Sequence, residues 1–110
     1  MDQLKKGYLL AIVDVHNADA FKEYMARVPA LIAEFGGRFV VRGFDYELME
    51  GSPNDRKRVV ILEFGSSEIA KRFYHSPGYQ LLAEIRYVSC STVLYILNEY
   101  VETPVALTEL

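Results

Sequence analysis

From Gly7 to Val15 the chain reads Gly-Tyr-Leu-Leu-Ala-Ile-Val-Asp-Val, a run of β-branched and aromatic residues bounded by a glycine and by His16-Asn17, which predicts a strand. Both faces of its pleat, Tyr8-Leu10-Ile12-Asp14 and Leu9-Ala11-Val13-Val15, are largely apolar. A strand wetted on one side alternates, so this one needs cover on both sides. The period then changes. Phe21, Tyr24, Met25, Val28, Leu31, Ile32 and Phe35 recur at spacings of three and four, predicting an amphipathic helix of about five turns, capped by Asn17 or Asp19 and stopped at Gly36. Pro29 lies inside that pattern. Proline removes a backbone donor and crowds the preceding turn, so a kink or two helices end to end are expected there.

Arg38 to Phe44 reads as a second strand, apolar on both faces apart from Arg42, with Asp45 to Glu50 as a continuation beyond a bend at Gly43. The stretch Gly51-Ser52-Pro53-Asn54-Asp55 is a turn, and Arg58 to Phe64 forms the other arm of an antiparallel hairpin. Ser66-Ser67-Glu68 caps a short helix carrying Ile69, Ala70 and Phe73; Ser76-Pro77 opens another carrying Tyr79, Leu82, Ala83 and Arg86, with proline at the first helical position. Thr92 to Tyr100 is a fourth strand, and Val101 to Leu110 is an extra edge strand or a mobile arm.

The order β-α-β-β-α-β specifies an α+β, ferredoxin-like subunit, in which helices cover one face of a four-stranded antiparallel sheet. The pattern leaves the other face apolar as well: Val59 and Ile61 oppose Val60, Leu62 and Phe64, while Val93, Tyr95 and Leu97 oppose Leu94 and Ile96. Soluble monomers do not expose a patch of that extent. A homodimer with sheets packed face to face, a dimeric α/β barrel, is therefore expected.

Composition narrows the partners. At 110 residues the chain makes a single domain, 1–110, with a core at about 6–100. The net charge of −3 argues against nucleic acid, whose binders carry a basic excess. Cys90 is the only cysteine, so no intrachain disulfide forms and a cytoplasmic location is expected. The apolar run Tyr8 to Val13 is too short for a signal-peptide core or a membrane span, which predicts no export and no membrane partner. No phosphate-binding glycine loop, nucleophile elbow, dinucleotide fingerprint or paired-histidine spacing is present, so no cofactor and no metal are implied.

Candidate chemistry lies where polar groups interrupt these patterns. Asp14, Arg42 and Glu63 are charges within strands, and burying one unpaired is costly. They are either ion pairs, with one another or with Arg38, Arg58 or Arg86, or they point into a cavity between sheet and helices, where a carboxylate near an arginine can bind or deprotonate a small polar ligand. His16 lies in the turn after the first strand, as a hydrogen-bonding loop residue. His75, just before the Ser76-Pro77 break, stands where a helix end can present a base to a pocket. Tyr24, Tyr74 and Tyr79 fall on helix faces, in the core or lining a pocket with phenol groups. Cys90 has no adjacent base and reads as structural.

Lys6-Gly7-Tyr8, Val13-Asp14-Val15, Tyr24, Pro29, Gly36-Gly37-Arg38-Phe39, Arg42-Gly43, Glu50-Gly51, Arg58-Val59-Val60, Glu63-Phe64, and Phe73-Tyr74-His75-Ser76-Pro77-Gly78-Tyr79-Gln80 with Arg86 together resemble the domain-of-unknown-function family 1330, of the dimeric α/β-barrel group. The resemblance runs from about Lys6 to Tyr100. It implies the same subunit and the same sheet-to-sheet dimer, and it marks Asp14, Tyr24, Arg38, Arg42, Glu63, Tyr74, Ser76, Tyr79 and Arg86 as site positions. The larger group spans cofactor-free monooxygenases, haem proteins, isomerases and stress-response proteins, so no single reaction is implied. Phe44 departs from the family pattern at a place where a second glycine is usual, which is expected to narrow or fill a pocket.

Two functions follow. In the first, each subunit of a small dimer binds an anionic or carbonyl-containing molecule. Arg42 and Arg86 hold the negative group, Asp14 or Glu63 acts as base, and Tyr74, Tyr79 and His75 donate hydrogen bonds; cofactor-free oxidation or isomerisation suits such a set better than hydrolysis. In the second, the dimer is a non-catalytic ligand binder or a structural or stress-response protein whose charges are fixed ion pairs. A cavity touching at least three of Asp14, Arg42, Glu63, Tyr74 and Arg86 favours the first.

Overall fold

The structure, a computed structural model, describes residues 5–52 and 56–102. Its elements are β1 (Gly7–Val15), α1 (Ala18–Glu34), β2 (Arg38–Gly43), β3 (Arg58–Phe64), α2 (Ser67–His75), α3 (Pro77–Ser89) and β4 (Cys90–Asn98). The strands form one antiparallel sheet in the order β2-β3-β1-β4, the expected ferredoxin-like arrangement, with all three helices on one face. Leu9, Ala11 and Val13 of β1 meet Phe21, Val28 and Ile32 of α1 and Phe73, Tyr79 and Leu82 of the other two helices in a single core. Among the described residues no helix is long and apolar enough to cross a membrane.

Local chemistry sets the element ends. The Asn17 side chain accepts from the Ala20 amide at 3.1 Å and opens α1. Gly36, at φ 71°, turns the chain out of it. α1 runs unbroken through Pro29. Val28 and Ile32, buried on either side of the proline, hold both halves on the sheet. Ser76 serves two helices: its hydroxyl donates to the Phe73 carbonyl at 2.8 Å and accepts from the Tyr79 amide at 3.2 Å.

β2 ends at Gly43 and β4 at Asn98, one and two residues before the expected Phe44 and Tyr100, and two further differences have a visible cause. β4 starts at Cys90 rather than Thr92, because Asp14 and Val15 of β1 extend the ladder to Ser91 and Cys90. Asp45 to Glu50 is not strand; Gly43, at φ 99°, turns the backbone, and β3 begins only at Arg58, so the segment has no neighbouring strand to pair with. Pro53 to Asp55 of the turn and most of the C-terminal tail lie outside the described residues.

The register assigns every strand residue to a face. On the helix side stand Leu9, Leu62 and Ile96, then Ala11, Val60 and Leu94, then Val13, Arg58 and Thr92; on the other side Tyr8, Glu63 and Leu97, then Leu10, Ile61 and Tyr95, then Ile12, Val59 and Val93. In β2 the alternation slips once. Phe39 pairs with Leu62 but Val41 pairs with Ile61, so Val40 is a bulged extra residue. Unbroken alternation would put Val41 inside and Arg42 outside; the bulge reverses them, and Arg42 comes to face the helices opposite Val60.

Among the described residues no helix covers the other face. There Val93 is 51% exposed and Tyr95 53%, beside partly buried Leu10, Ile12, Val59 and Ile61. At the opposite end of β1, a Cβ on Gly7 would collide with the backbone of Ser66 and Ser67, which cannot give way as a side chain does. Gly7→Ala is expected to destabilise the fold by on the order of 3 kcal/mol, read as a lower urea midpoint with an unchanged slope.

Candidate functional site

A cavity lies between the sheet and the helices. Leu9, Ala11, Val13, Leu62 and Leu94 form its floor and Tyr24, Met25 and Val28 of α1 its roof, with Phe73 and Tyr79 at the α2–α3 side. About 50 Å³ of it admits the centre of a water molecule, room for about three or four waters or one small organic molecule. The lining is apolar and aromatic except for three guanidinium groups, Arg42, Arg58 and Arg86, and two phenols, Tyr24 and Tyr79. Among the described residues no carboxylate and no histidine reaches it.

Arg86 is the innermost charge, only 6% exposed. It stands seven residues after Tyr79, two turns along one face of α3, and its Nε donates to the Tyr79 hydroxyl at 3.1 Å. That hydroxyl is 2.7 Å from the Tyr24 hydroxyl across the cavity. The phenol pair consumes one O–H between its members, whichever donates, so the second O–H has no protein acceptor among the described residues. Burial opposes the Arg86 charge, but the phenols of Tyr79 and Tyr24 more than offset it and hold the guanidinium above its ordinary pKa. Burial, reinforced by Tyr79, pushes the Tyr24 phenol far above its ordinary value, so Tyr24 keeps its proton. No carboxylate of the described residues lies within ion-pair distance of Arg86, Arg42 or Arg58. A guanidinium beside phenols and no described carboxylate, at the wall of an apolar cavity, is a group that can pair with an anion.

The other two arginines sit nearer the opening. Arg42 is exposed and Arg58 half-buried; the Arg42 guanidinium lies over the Phe39 ring at 4.2 Å, and that of Arg58 is 5.9 Å from the Phe21 ring. Burial, and then the Arg42 charge, pull Arg58 below its ordinary pKa.

Of the residues singled out in the sequence, the structure brings Tyr24, Arg42, Tyr79 and Arg86 to this cavity and places the others elsewhere. Asp14 stands on the open face of the sheet opposite Ser91. Glu63 is on that face too, held by Arg38 at 3.1 Å and by Lys6 at 3.7 Å; its partial burial works upward, but the Arg38 hydrogen bond and the two positive charges leave its carboxyl below the usual range. Arg38 is accordingly an ion-pair partner outside the cavity. Neither carboxylate is positioned as a base for a ligand there, because strand alternation sends both side chains away from the helices. His75 ends α2, exposed, with its ring edge-on to Tyr74 at 5.1 Å. Tyr74 packs behind Tyr79 at 5.7 Å without reaching the cavity, and the Ser76 hydroxyl is occupied by capping. Phe44, exposed past the Gly43 turn, does not fill the space. The cavity thus touches two of the five test residues, not three.

The sequence pattern presents Arg58 only as an ion-pair partner. Its alternation with Val60 and Leu62 along β3 was the available signal, since it places Arg58 on the face that also carries Leu62 and Phe64. The bulge that turns Arg42 inward left no such trace. Cys90 is buried, which raises its thiol pKa, and His16 hydrogen-bonds Ser91 at 2.7 Å. Among the described residues no three His, Cys, Asp or Glu side chains converge as metal ligands would.

Fold and cavity define an α+β protein with a ferredoxin-like four-stranded antiparallel sheet and a cationic cavity beneath its helices. The chain belongs to the family described as Domain of unknown function (DUF1330), whose model matches residues 6–100. It is similar in structure to a protein of unknown function from Rhodopseudomonas palustris, with a TM-score of 0.73 at 18% identity, covering 92% of this chain and 87% of that one. SnoaB, a cofactor-independent oxygenase from Streptomyces nogalater, superposes with a TM-score of 0.63 at 18% identity over 91% of this chain and 98% of its own. A hydroxynitrile lyase from Passiflora edulis reaches 0.67 at 13% identity, again over 91% and 98%. At such identities the likeness is one of fold. No curated protein matches the chain.

Tyr79→Phe leaves the buried Nε of Arg86 without its acceptor and Tyr24 without its partner, and is expected to cost about 1–3 kcal/mol; a cycle with Tyr24→Phe should show the two losses to be non-additive. Because the folded state holds the Tyr24 proton more tightly than the unfolded chain does, its contribution is complete below the ordinary phenol pKa near 10 and is lost as pH rises above it. Unfolding midpoints measured between pH 8 and about 11 should fall less in Tyr24→Phe than in the parent.

Proposed function

We propose that this protein is a homodimer whose subunits each bind a small organic anion with an apolar body. Arg86 carries the proposal: a guanidinium withdrawn from water, with phenols but no carboxylate beside it, lining a cavity otherwise made of aliphatic and aromatic side chains. An anionic group takes the guanidinium and the free phenol proton, and the apolar body lies on Leu9, Ala11 and Leu62. The dimer is supported by the uncovered face, where Tyr95 and Val93 remain half exposed on a sheet too apolar for water; a second copy laid on it covers both faces by one symmetric contact. With its one thiol buried, the chain also suits a reducing cytoplasm.

A catalytic reading has its own support. The unused phenol proton beside Arg86 is placed to steady an enolate oxygen, as isomerisation or cofactor-free oxidation of a carbonyl compound requires, and a cofactor-independent oxygenase is among the proteins of this fold. A base is the missing part, since Asp14 and Glu63 both lie across the sheet. Binding is therefore the reading the geometry favours. The alternative of fixed ion pairs describes Glu63, Arg38 and Lys6 and leaves the three cavity arginines unexplained.

Thermal unfolding in saturating hexanoate should show a stabilisation of about 2.7 kcal/mol at a hundredfold excess over Kd, with hexan-1-ol giving far less and Arg86→Gln abolishing the difference; equal shifts for acid and alcohol would remove the anion from the proposal. Light scattering should return the mass of two chains rather than the 12.6 kDa of one, and charges introduced on the open face, as in Val93→Lys with Tyr95→Lys, should reduce it to one.

A further inference from the structure

Arg42 and Arg58 ask for a second explanation. Arg42 opposes Val60 across the β2–β3 ladder, and Arg58 lies two residues from Val60 on the same strand. They are diagonal neighbours on one face, a separation that long side chains bridge. The Arg58 guanidinium reaches back to the neighbour of Arg42 in the chain: its Nη1 atom lies 3.7 Å from where a Cβ of Gly43 would stand. Each guanidinium is backed by a ring, Phe39 for Arg42 and Phe21 for Arg58, which orients its flat face. Two like charges brought side by side repel, and among the described residues no carboxylate separates them. The bulge at Val40 creates this proximity, since regular alternation would have sent Arg42 to the other face.

We propose that Arg42 and Arg58 form a second anion subsite at the opening of the cavity, so that its ligand is a short molecule with two anionic ends and an apolar middle, of the dicarboxylate class. This rests on the reading of the cavity given above. One carboxylate lies inside, against Arg86 and the phenol pair. The other lies at the opening, one oxygen toward each of the paired arginines, and the intervening methylenes cross the floor of Leu9, Ala11 and Leu62. The inner site confers binding; the outer one selects a second charge and limits length.

Calorimetric titration of the full chain with adipate, hexanoate and hexane-1,6-diol, at about 0.15 M salt so that loose surface attraction is screened, separates the two claims. Adipate is expected to bind about tenfold or more tightly than hexanoate, with glutarate and pimelate defining the optimum length and the diol weakest. In Arg42→Gln and in Arg58→Gln, both at the opening and checked for folding by circular dichroism, that advantage should shrink to within about twofold. If every dicarboxylate binds no better than hexanoate, or if adipate keeps its advantage in both variants, the outer subsite is overturned while hexanoate binding preserves the inner one. If neither acid binds the folded protein, both readings fall.

Discussion

The structure depends on one constraint: β1, the strand from Gly7 to Val15, is apolar on both faces and must be kept from water on both. Its central place in the sheet follows, because only there do β3 and β4 complete the ladder on each side while helices roof one face. Leu9, Ala11 and Val13 satisfy the constraint within the chain. Tyr8, Leu10 and Ile12 cannot, since three helices on one side leave none for the other. The same strand that organises the core also presents the surface that a second copy would cover.

The division of the sheet into two faces sorts the charges as well. A carboxylate on the open face reaches basic side chains near the strand ends, as Glu63 reaches Arg38 and Lys6. A guanidinium on the helix face finds aliphatic and aromatic neighbours and two phenols. Sheet and helices thus enclose positive charge without its complement, a costly arrangement in a sealed core and a useful one in a cavity that receives an anion. Arg86 and Tyr79 are held for this by a helix whose start is set by Ser76, and Tyr24 by a helix that Pro29 does not break.

Fold and site therefore make unequal demands on the sequence. Proteins as different as an oxygenase and a lyase share the architecture with this chain at 18% and 13% identity, because covering a two-faced sheet needs only apolar residues at the right period. A site needs particular groups at particular angles. Three arginines make this cavity cationic, and one of them, Arg42, is there only because of a bulge of one residue.

By itself the sequence determined the order of elements, the limits of β1 and β3, the Ser66 and Ser76 caps and the two-faced character of the sheet, because these follow from short-range periodicity and from capping chemistry that acts over three or four residues. It also brought Tyr79 and Arg86 together, since seven residues on a helix is a fixed geometry. Only the tertiary structure decided which charges share a cavity. Alternation along the chain puts Glu63 on the opposite face of β3 from Arg58 and Asp14 on the opposite face of β1 from Val13, but with both faces apolar nothing along the strands says which face the helices cover, and a bulge of one residue at Val40, invisible in composition or period, sends Arg42 to the helix side. Facing is a property of register, and register is set between strands rather than along them.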